Sequence, residues 1–327
     1  MPRRLTVREE VWPLAGTFAI SRGSRTEARV LTVEIGDGGA RGRGECTPYA
    51  RYGETIDAVK AAIEGLGPAI AGGMDRAALQ AALPAGAARN AVDCALWDLE
   101  AKRSGRPVWQ LAGLDQPGPV TTVYTISLDT PEEMAASARA EAWRPLLKLK
   151  LTGAGDLERV RAIRAAAPDS QLVVDANEAW RVGELEELAL TLARLGVEMI
   201  EQPLPAGEDD ALFGQNWPVP LCADESCHTA ESLPALAGKY AMVNIKLDKT
   251  GGLTEALKLR AAALKAGFGV MVGCMLGSSL AMAPAFLVAQ GARLVDLDAP
   301  LWLREDRDPG LSIHGSVIEP PPAALWG

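Results

Sequence analysis

The sequence predicts an α/β fold, a modified (β/α)7β barrel with an N-terminal α+β capping domain. Three observations carry this. After residue 118, eight short apolar segments alternate with seven stretches of helical periodicity. Charged residues at or near the ends of five of those segments, Lys150, Asp175, Glu201, Asp224 and Lys246, follow one another at intervals of 22 to 26 residues, the length of one strand plus one helix. The first 118 residues lack this rhythm and read as strands followed by helices, a pattern of separate α+β layers. At 327 residues the chain is too long for one small core and suits a TIM-type barrel plus a smaller domain.

In chain order, residues 5–12, 28–35 and 41–45 alternate as strands, with a tight turn at the GDGG of 36–39. Helices are expected over 55–66 and 87–103, the second stopped by Gly105 with Pro107 beyond it. Two segments without buried periodicity, 15–28 and 46–54, are candidate lids. The barrel occupies 119–300. Its strands are expected at 120–127, 146–151, 171–176, 197–202, 219–224, 241–247, 268–273 and 293–298. Helices are expected near 131–142, 156–167, 183–195, 208–214, 229–237, 252–266 and 278–290. The Pro- and Gly-rich tail, 301–327, is expected to pack back on the first domain.

Composition narrows the function. A net charge of −9 argues against nucleic acid and anionic membrane surfaces as partners. The opening MPRRLTVREE has no apolar run behind its arginines, and 278–290 is too short to span a bilayer. The five cysteines are odd in number, dispersed and without a CxxC, as expected of reduced thiols in the cytoplasm. Only His228 and His314 are present, so acid–base work falls mainly on Lys, Asp, Glu or Tyr.

In LLKLKL, Lys148 and Lys150 share one face of a strand, and Leu147, Leu149 and Leu151 share the other. Strand rise separates the lysines by about 6.7 Å. At an effective dielectric of ~20 their repulsion is roughly 2.5 kcal/mol, enough to lower one pKa by up to ~1.8 units. That is the direction required of an amine that must remove a proton. The competing reading is an edge strand with lysines turned to water, which a closed barrel does not offer. Asp175, Glu201 and Asp224 close consecutive strands, and parallel-barrel strand ends share one rim. Three converging carboxylates call for a hard cation, Mg²⁺ first, although any one of them alone reads as a helix cap or an arginine partner. Asn177 and Glu225 stand beside two of them as supporting groups. Lys246, across the barrel from Lys150, offers a second amine on the opposite face, as a stereochemical inversion needs. Lys249 reads as a solvated loop lysine. Asp296 and Asp298 repeat the same-face spacing on the last strand and suit a substrate ammonium or rim ion pairs.

KxK, DAN, EQP, DES and NIK on successive strands resemble the enolase superfamily, muconate-lactonizing subgroup, over nearly the whole chain. With ISRGSRTEAR, GECTPYARYGE, LPAGAARNAVDCALWDLEA, MVNIKLDKTGGLTEAL and the terminal DLD, the chain is similar to the L-Ala-D/L-Glu (dipeptide) epimerases of bacteria. That resemblance implies a Mg²⁺-dependent isomerase with Lys150 and Lys246 as acid/base pair, one Mg²⁺ on Asp175, Glu201 and Asp224, and Lys148 supporting Lys150 and the substrate carboxylate. It implies that Asp296 and Asp298 hold the dipeptide ammonium, and that Arg25 meets a side-chain carboxylate. Thr125, Cys274 and Met275 then line the pocket. It further implies a role in recycling peptidoglycan peptides, a small-molecule dipeptide as partner, and leaves a homo-oligomer open. GCMLGSS departs slightly from relatives at Gly277 and Ser278. The same barrel can serve N-acylamino acid racemisation, o-succinylbenzoate synthesis or muconate cycloisomerisation, which need neither the DLD pair nor Arg25. A binding scaffold that has lost catalysis is disfavoured because every catalytic position is filled. A sugar-acid dehydratase is disfavoured because no histidine lies in strands six to eight.

Overall fold

The computed structural model describes residues 2–327. Strands β1 (Arg4–Ile20) and β2 (Gly23–Asp37) form a long antiparallel hairpin, and β3 (Ala40–Cys46) pairs with β2. Because β3 reaches only from Leu31 to Asp37 of β2, the far half of the hairpin projects beyond the sheet. The segment 15–28, expected as a loop, is therefore mostly strand, with a break in register between Pro13 and Phe18. Cross-strand hydrogen bonds satisfy its backbone without a buried face, which is why no apolar alternation marked it.

The sheet packs on α4 (Ala87–Ser104), which follows α1 (Ile56–Glu64), α2 (Gly67–Ala71) and α3 (Arg76–Ala82) and precedes α5 (Val108–Leu111). The contact is backbone to backbone. A Cβ at Gly42 would stand 2.1 Å from the Ala95 carbonyl oxygen, and one at Gly44 2.1 Å from that of Ala91. Gly44→Ala is expected to destabilise the domain by about 1–3 kcal/mol, the cost of overpacking a fitted core, read as a lower melting temperature. A melting temperature equal to wild type would contradict this packing.

The barrel sheet runs in sequential order through β5 (Tyr124–Ile126), β6 (Leu146–Lys150), β7 (Gln171–Asp175), β8 (Val197–Glu201), β9 (Leu221–Ala223), β10 (Met242–Ile245), β11 (Gly269–Val272) and β12 (Leu294–Val295). All its ladders are parallel. Its ends are joined where Val123 N–H donates to the Val295 carbonyl at 2.8 Å. The first strand is interrupted: β4 (Val120–Thr121) pairs instead with the tail hairpin β13 (Ile313–His314) and β14 (Val317–Ile318). The intervening helices are α6 (Pro131–Ala140), α7 (Asp156–Ala166), α8 (Val182–Arg194), α9 (Leu233–Leu236), α10 (Leu247–Thr250), α11 (Leu253–Lys265), α12 (Ser279–Val288) and α13 (Ala299–Trp302). The helix expected at 208–214 is only a 3-10 turn over Asp210–Leu212. Asp209 there is spent on Ser226, Lys239 and Tyr240 rather than on a helix cap.

Leu147 and Leu149 join the helix-facing core, as their alternation with the lysines requires. Inside the barrel, Val123, Leu146, Val173, Met199, Cys222, Met242 and Met271, one from each successive strand or its edge, form an apolar layer. Two residues further along β6 the inward side chain is Lys148, so the layer is a floor beneath the charged rim. The tail returns along the first domain: Arg43 donates to Leu325 O at 2.5 Å, and Trp326 Nε1 to Cys94 O at 3.0 Å. No helix among the described residues is long and apolar enough to cross a membrane.

Candidate active site

Parallel register brings the charged strand ends into one row. Lys150 is paired with Asp175 across β6 and β7, and Asp175 with Glu201 across β7 and β8. Lys150 Nζ donates to Asp175 at 2.6 Å, Lys246 Nζ to Asp224 at 2.7 Å, and Lys148 Nζ to Asp296 at 2.6 Å. Lys148 Nζ also lies 2.7 Å from Glu201 Oε2, an oxygen that is buried and makes no hydrogen bond. Burial opposes charge on Lys148, but Asp296, Glu201 and Asp175 overcome it and raise its pKa well above the ordinary value. The expected lowering by lysine–lysine repulsion is thus reversed for Lys148: three carboxylates outweigh one ammonium. Lys246 is likewise raised, with Asp224 and Glu201 overcoming its burial. Burial pushes Asp175 up, yet Lys150 and Lys148 hold it at about 2. Asp224 is held well below the carboxylate range by Lys246 and Lys249 against its burial. Glu201 is raised by burial and by Asp175.

Lys249 is not a solvated loop lysine. It is 1% exposed, and its Nζ donates to the Asp224 carbonyl at 2.5 Å, Asp224 Oδ1 at 2.6 Å and the Asn244 carbonyl at 2.9 Å. With all three donors engaged it holds Asp224 in place. Gln202, which is uncharged and so stood out in no strand-end pattern, also supports Asp224. It is buried at a φ of 33°, and its Oε1 accepts the backbone N–H of Asp224 at 2.9 Å and of Ser226 at 3.1 Å. Asn177 and Glu178, just past Asp175, also have positive φ (44° and 68°), so backbone strain sits behind two of the strand-end carboxylates.

A cavity of about 340 Å³ opens above this row. Lys148, Lys150, Asp224, Lys246, Asp296 and Asp298 reach it, as do Thr125, Cys274 and Met275. Asp175 and Glu201 lie behind the lysines. Asp298 accepts the Thr125 N–H at 2.7 Å and is raised to about 6 by burial and by Asp296. The ligating atoms of Cys274, Asp296 and Asp298 lie within 4.8 Å of one another, closer than those of the strand-end triad. The thiol gives this trio a mixed sulfur and oxygen donor set, which does not match a hard cation. The strand-end carboxylates do: they are oxygen donors only, and Glu201 Oε2, Asn177 Oδ1 and Glu225 Oε2 are buried acceptors without hydrogen-bond partners around them.

The hairpin end closes the cavity. Phe18, Ile20, Arg22 and Arg25 line it, with Tyr49 and Tyr52 from the second lid segment. Arg22 ties the lid to the rim through Glu225 at 2.7 Å and the Asn177 carbonyl at 3.0 Å. Among the described residues Arg25 makes no ion pair, and it faces the Tyr49 ring at 5.8 Å. Arg22 belonged to the same segment as Arg25. Only the fold distinguishes the arginine spent on the rim from the one left open.

Residues 132–324 match the family model "Enolase C-terminal domain-like", and residues 3–113 match "Mandelate racemase / muconate lactonizing enzyme, N-terminal domain". The chain belongs to the mandelate racemase/muconate lactonizing enzyme family of the enolase superfamily. Among its relatives, L-Ala-D/L-Glu epimerase of Escherichia coli (strain K12) is 51% identical over 94% of this chain and 97% of its own. N-acetyl-D-glutamate racemase of a Pseudoalteromonas species is 48% identical over 91% and 95%. A crystal structure of an enolase family member from Agrobacterium tumefaciens with homology to dipeptide epimerases, with bound sodium and L-Ala-L-Glu, superposes with a TM-score of 0.98. It is 53% identical, and both chains are covered completely.

Proposed function

We propose that the protein is a Mg²⁺-dependent dipeptide epimerase. It inverts the α-carbon of the C-terminal residue of L-Ala-D/L-Glu by proton transfer between Lys150 and Lys246. The observation that carries this reading is the placement of two lysines, from the second and sixth barrel strands, in one lidded cavity above a row of carboxylates. One lysine, neutral, takes the α-proton from one face. The other, as an ammonium, gives a proton to the opposite face. The two lysines end with exchanged protonation states, and proton exchange with solvent restores them before the next molecule of the same stereoisomer reacts.

Asp175, Glu201 and Asp224 would hold Mg²⁺. When bound, it supplies charge stabilisation to the substrate carboxylate as the α-proton leaves. Asp224 and Glu201, which raise Lys246, are two of the residues that would hold the ion. Lys148 supports Lys150 and the substrate carboxylate. Asp296 and Asp298 receive the dipeptide ammonium, with the Thr125 N–H fixing Asp298. Cys274 and Met275 form part of the wall, and Arg25 receives the side-chain carboxylate of Glu. The hairpin lid excludes water from the reacting carbon. Five unpaired cysteines support a reducing, cytoplasmic setting, where recycled peptidoglycan peptides would supply the dipeptide.

Free dipeptide is the discriminating substrate. An N-acyl cap leaves the buried Asp298 carboxylate with the Thr125 N–H but without a cation of its own, since Asp296 is paired with Lys148, so L-Ala-L-Glu is expected to turn over about 100-fold or more faster than N-acetyl-L-Glu. Arg25→Ala should lose the preference for Glu while retaining activity on neutral second residues. A dipeptide library exchanged in D₂O and read by mass spectrometry reports both. The 48% identity to N-acetyl-D-glutamate racemase favours a second reading, N-acylamino acid racemisation. Faster turnover of N-acetyl-L-Glu than of L-Ala-L-Glu would put it in place of the first.

A further inference from the structure

Lys150 and Lys246 are held in different ways. Lys150 lies within β6, in backbone register with β7. Lys246 lies one residue past β10, outside the ladder, at the start of the turn formed by α10, Gly251 and Gly252. Its carbonyl accepts the N–H groups of Lys249 and Thr250, each at 3.0 Å, so the turn fixes its backbone.

That turn is gripped by the capping domain. Asp248, 7% exposed, accepts Asn90 Nδ2 at 2.8 Å and the Thr47 N–H at 3.1 Å through the same oxygen. Arg89 donates to the carbonyls of Thr250 at 2.7 Å and Gly251 at 3.1 Å. Asp93 accepts the backbone N–H of Thr254 at 2.9 Å and its hydroxyl at 2.7 Å. Arg89, Asn90 and Asp93 all lie in the first two turns of α4. The approach is close enough to exclude side chains: a Cβ at Gly251 would stand 2.5 Å from Arg89 Nε, and one at Gly252 2.5 Å from Asp93 Cβ. Both glycines also have positive φ, 73° and 110°. The RNAVD and LDKTGGLT segments, far apart in sequence, are thus two halves of one joint.

We infer that Asn90 and Asp248, with Arg89 beside them, are positioning residues for Lys246. The capping domain sets proton transfer on one face of the substrate and not on the other. The inference rests on Lys150 and Lys246 being the opposed bases proposed above. Loosening the joint lets Lys246 drift, and a misplacement of about 1 Å costs on the order of a hundredfold in rate. Lys150, anchored in the sheet, is unaffected.

The test is α-proton exchange in D₂O, followed by NMR on L-Ala-L-Glu and L-Ala-D-Glu separately with the full-length protein. Lys246→Ala identifies the stereoisomer whose exchange depends on Lys246. Asn90→Ala and Asp248→Ala are each expected to slow exchange of that stereoisomer by about 10- to 100-fold and to leave the other within about threefold. Asp248→Asn, which keeps the acceptor oxygen, should recover most of the loss. The double variant should be no slower than the slower single, because the two residues act as one unit. If Asp248→Ala does not fold, Asn90→Ala, which retains the Thr47 bond, carries the comparison. Equal slowing of both stereoisomers, or no slowing of either, would overturn the inference. Wild-type exchange of both stereoisomers by Lys246→Ala would overturn the two-base reading itself, and the inference with it.

Discussion

Lys150→Ala and Lys246→Ala are each expected to lose epimerisation by about 10²- to 10⁴-fold or more, the contribution of a positioned acid or base. Each should still exchange the α-proton of one stereoisomer with solvent. The two lysines line the same cavity but arrive from strands two and six of the barrel sheet, so removing one leaves the other in place. Lys249 cannot substitute for Lys246, because its three donors are engaged by Asp224 and Asn244 and it does not reach the cavity. Measured epimerisation and single-isomer exchange together decide the matter. Normal epimerisation by Lys246→Ala would show that a different group protonates the second face.

Protein stripped with EDTA is expected to lose turnover and to regain it with added Mg²⁺. Asp224→Asn should lose most of its affinity for the cation, measured directly by titration with Mn²⁺ as a paramagnetic probe. The size of the effect follows from the donor set. Asp224 is one of the three carboxylates proposed to hold the cation, and even partners one step removed from a metal cost about 10- to 100-fold in affinity when changed. The same substitution leaves Lys246 and Lys249 facing an uncharged side chain in a buried site. Breaking a buried pair costs about 3–5 kcal/mol, so a lower melting temperature should accompany the loss. Full activity in metal-free buffer would remove the metal from the reading.

Periodicity made the barrel strands legible because each buries one or both faces: their apolar positions must recur with the strand repeat. The same rule placed Lys148 and Lys150 inward, since alternation admits only one assignment once Leu147 and Leu149 meet the helices. The hairpin end over 15–28 was hidden for the converse reason. Its backbone is satisfied by pairing while its side chains meet solvent and the cavity, so no burial pattern is imposed on the sequence. The helix expected after the fourth barrel strand failed because Asp209 is committed to a buried cluster with Ser226, Lys239 and Tyr240, a demand invisible along the chain.

By itself the sequence determined the barrel, its strand order and the charged residues that the rim collects, because regular backbone geometry converts spacing into direction. Tertiary structure alone decided what those charges do to one another. Lys148 stays protonated because Asp296, Glu201 and Asp175 surround it, and Lys249 is a buried clamp because Asp224 and Asn244 offer it three acceptors. Arg22 is spent on the rim while Arg25 faces the Tyr49 ring and the cavity. Each of these depends on distances between residues remote in the chain, and electrostatic interaction depends on that distance and on burial, neither of which is written into the order of residues.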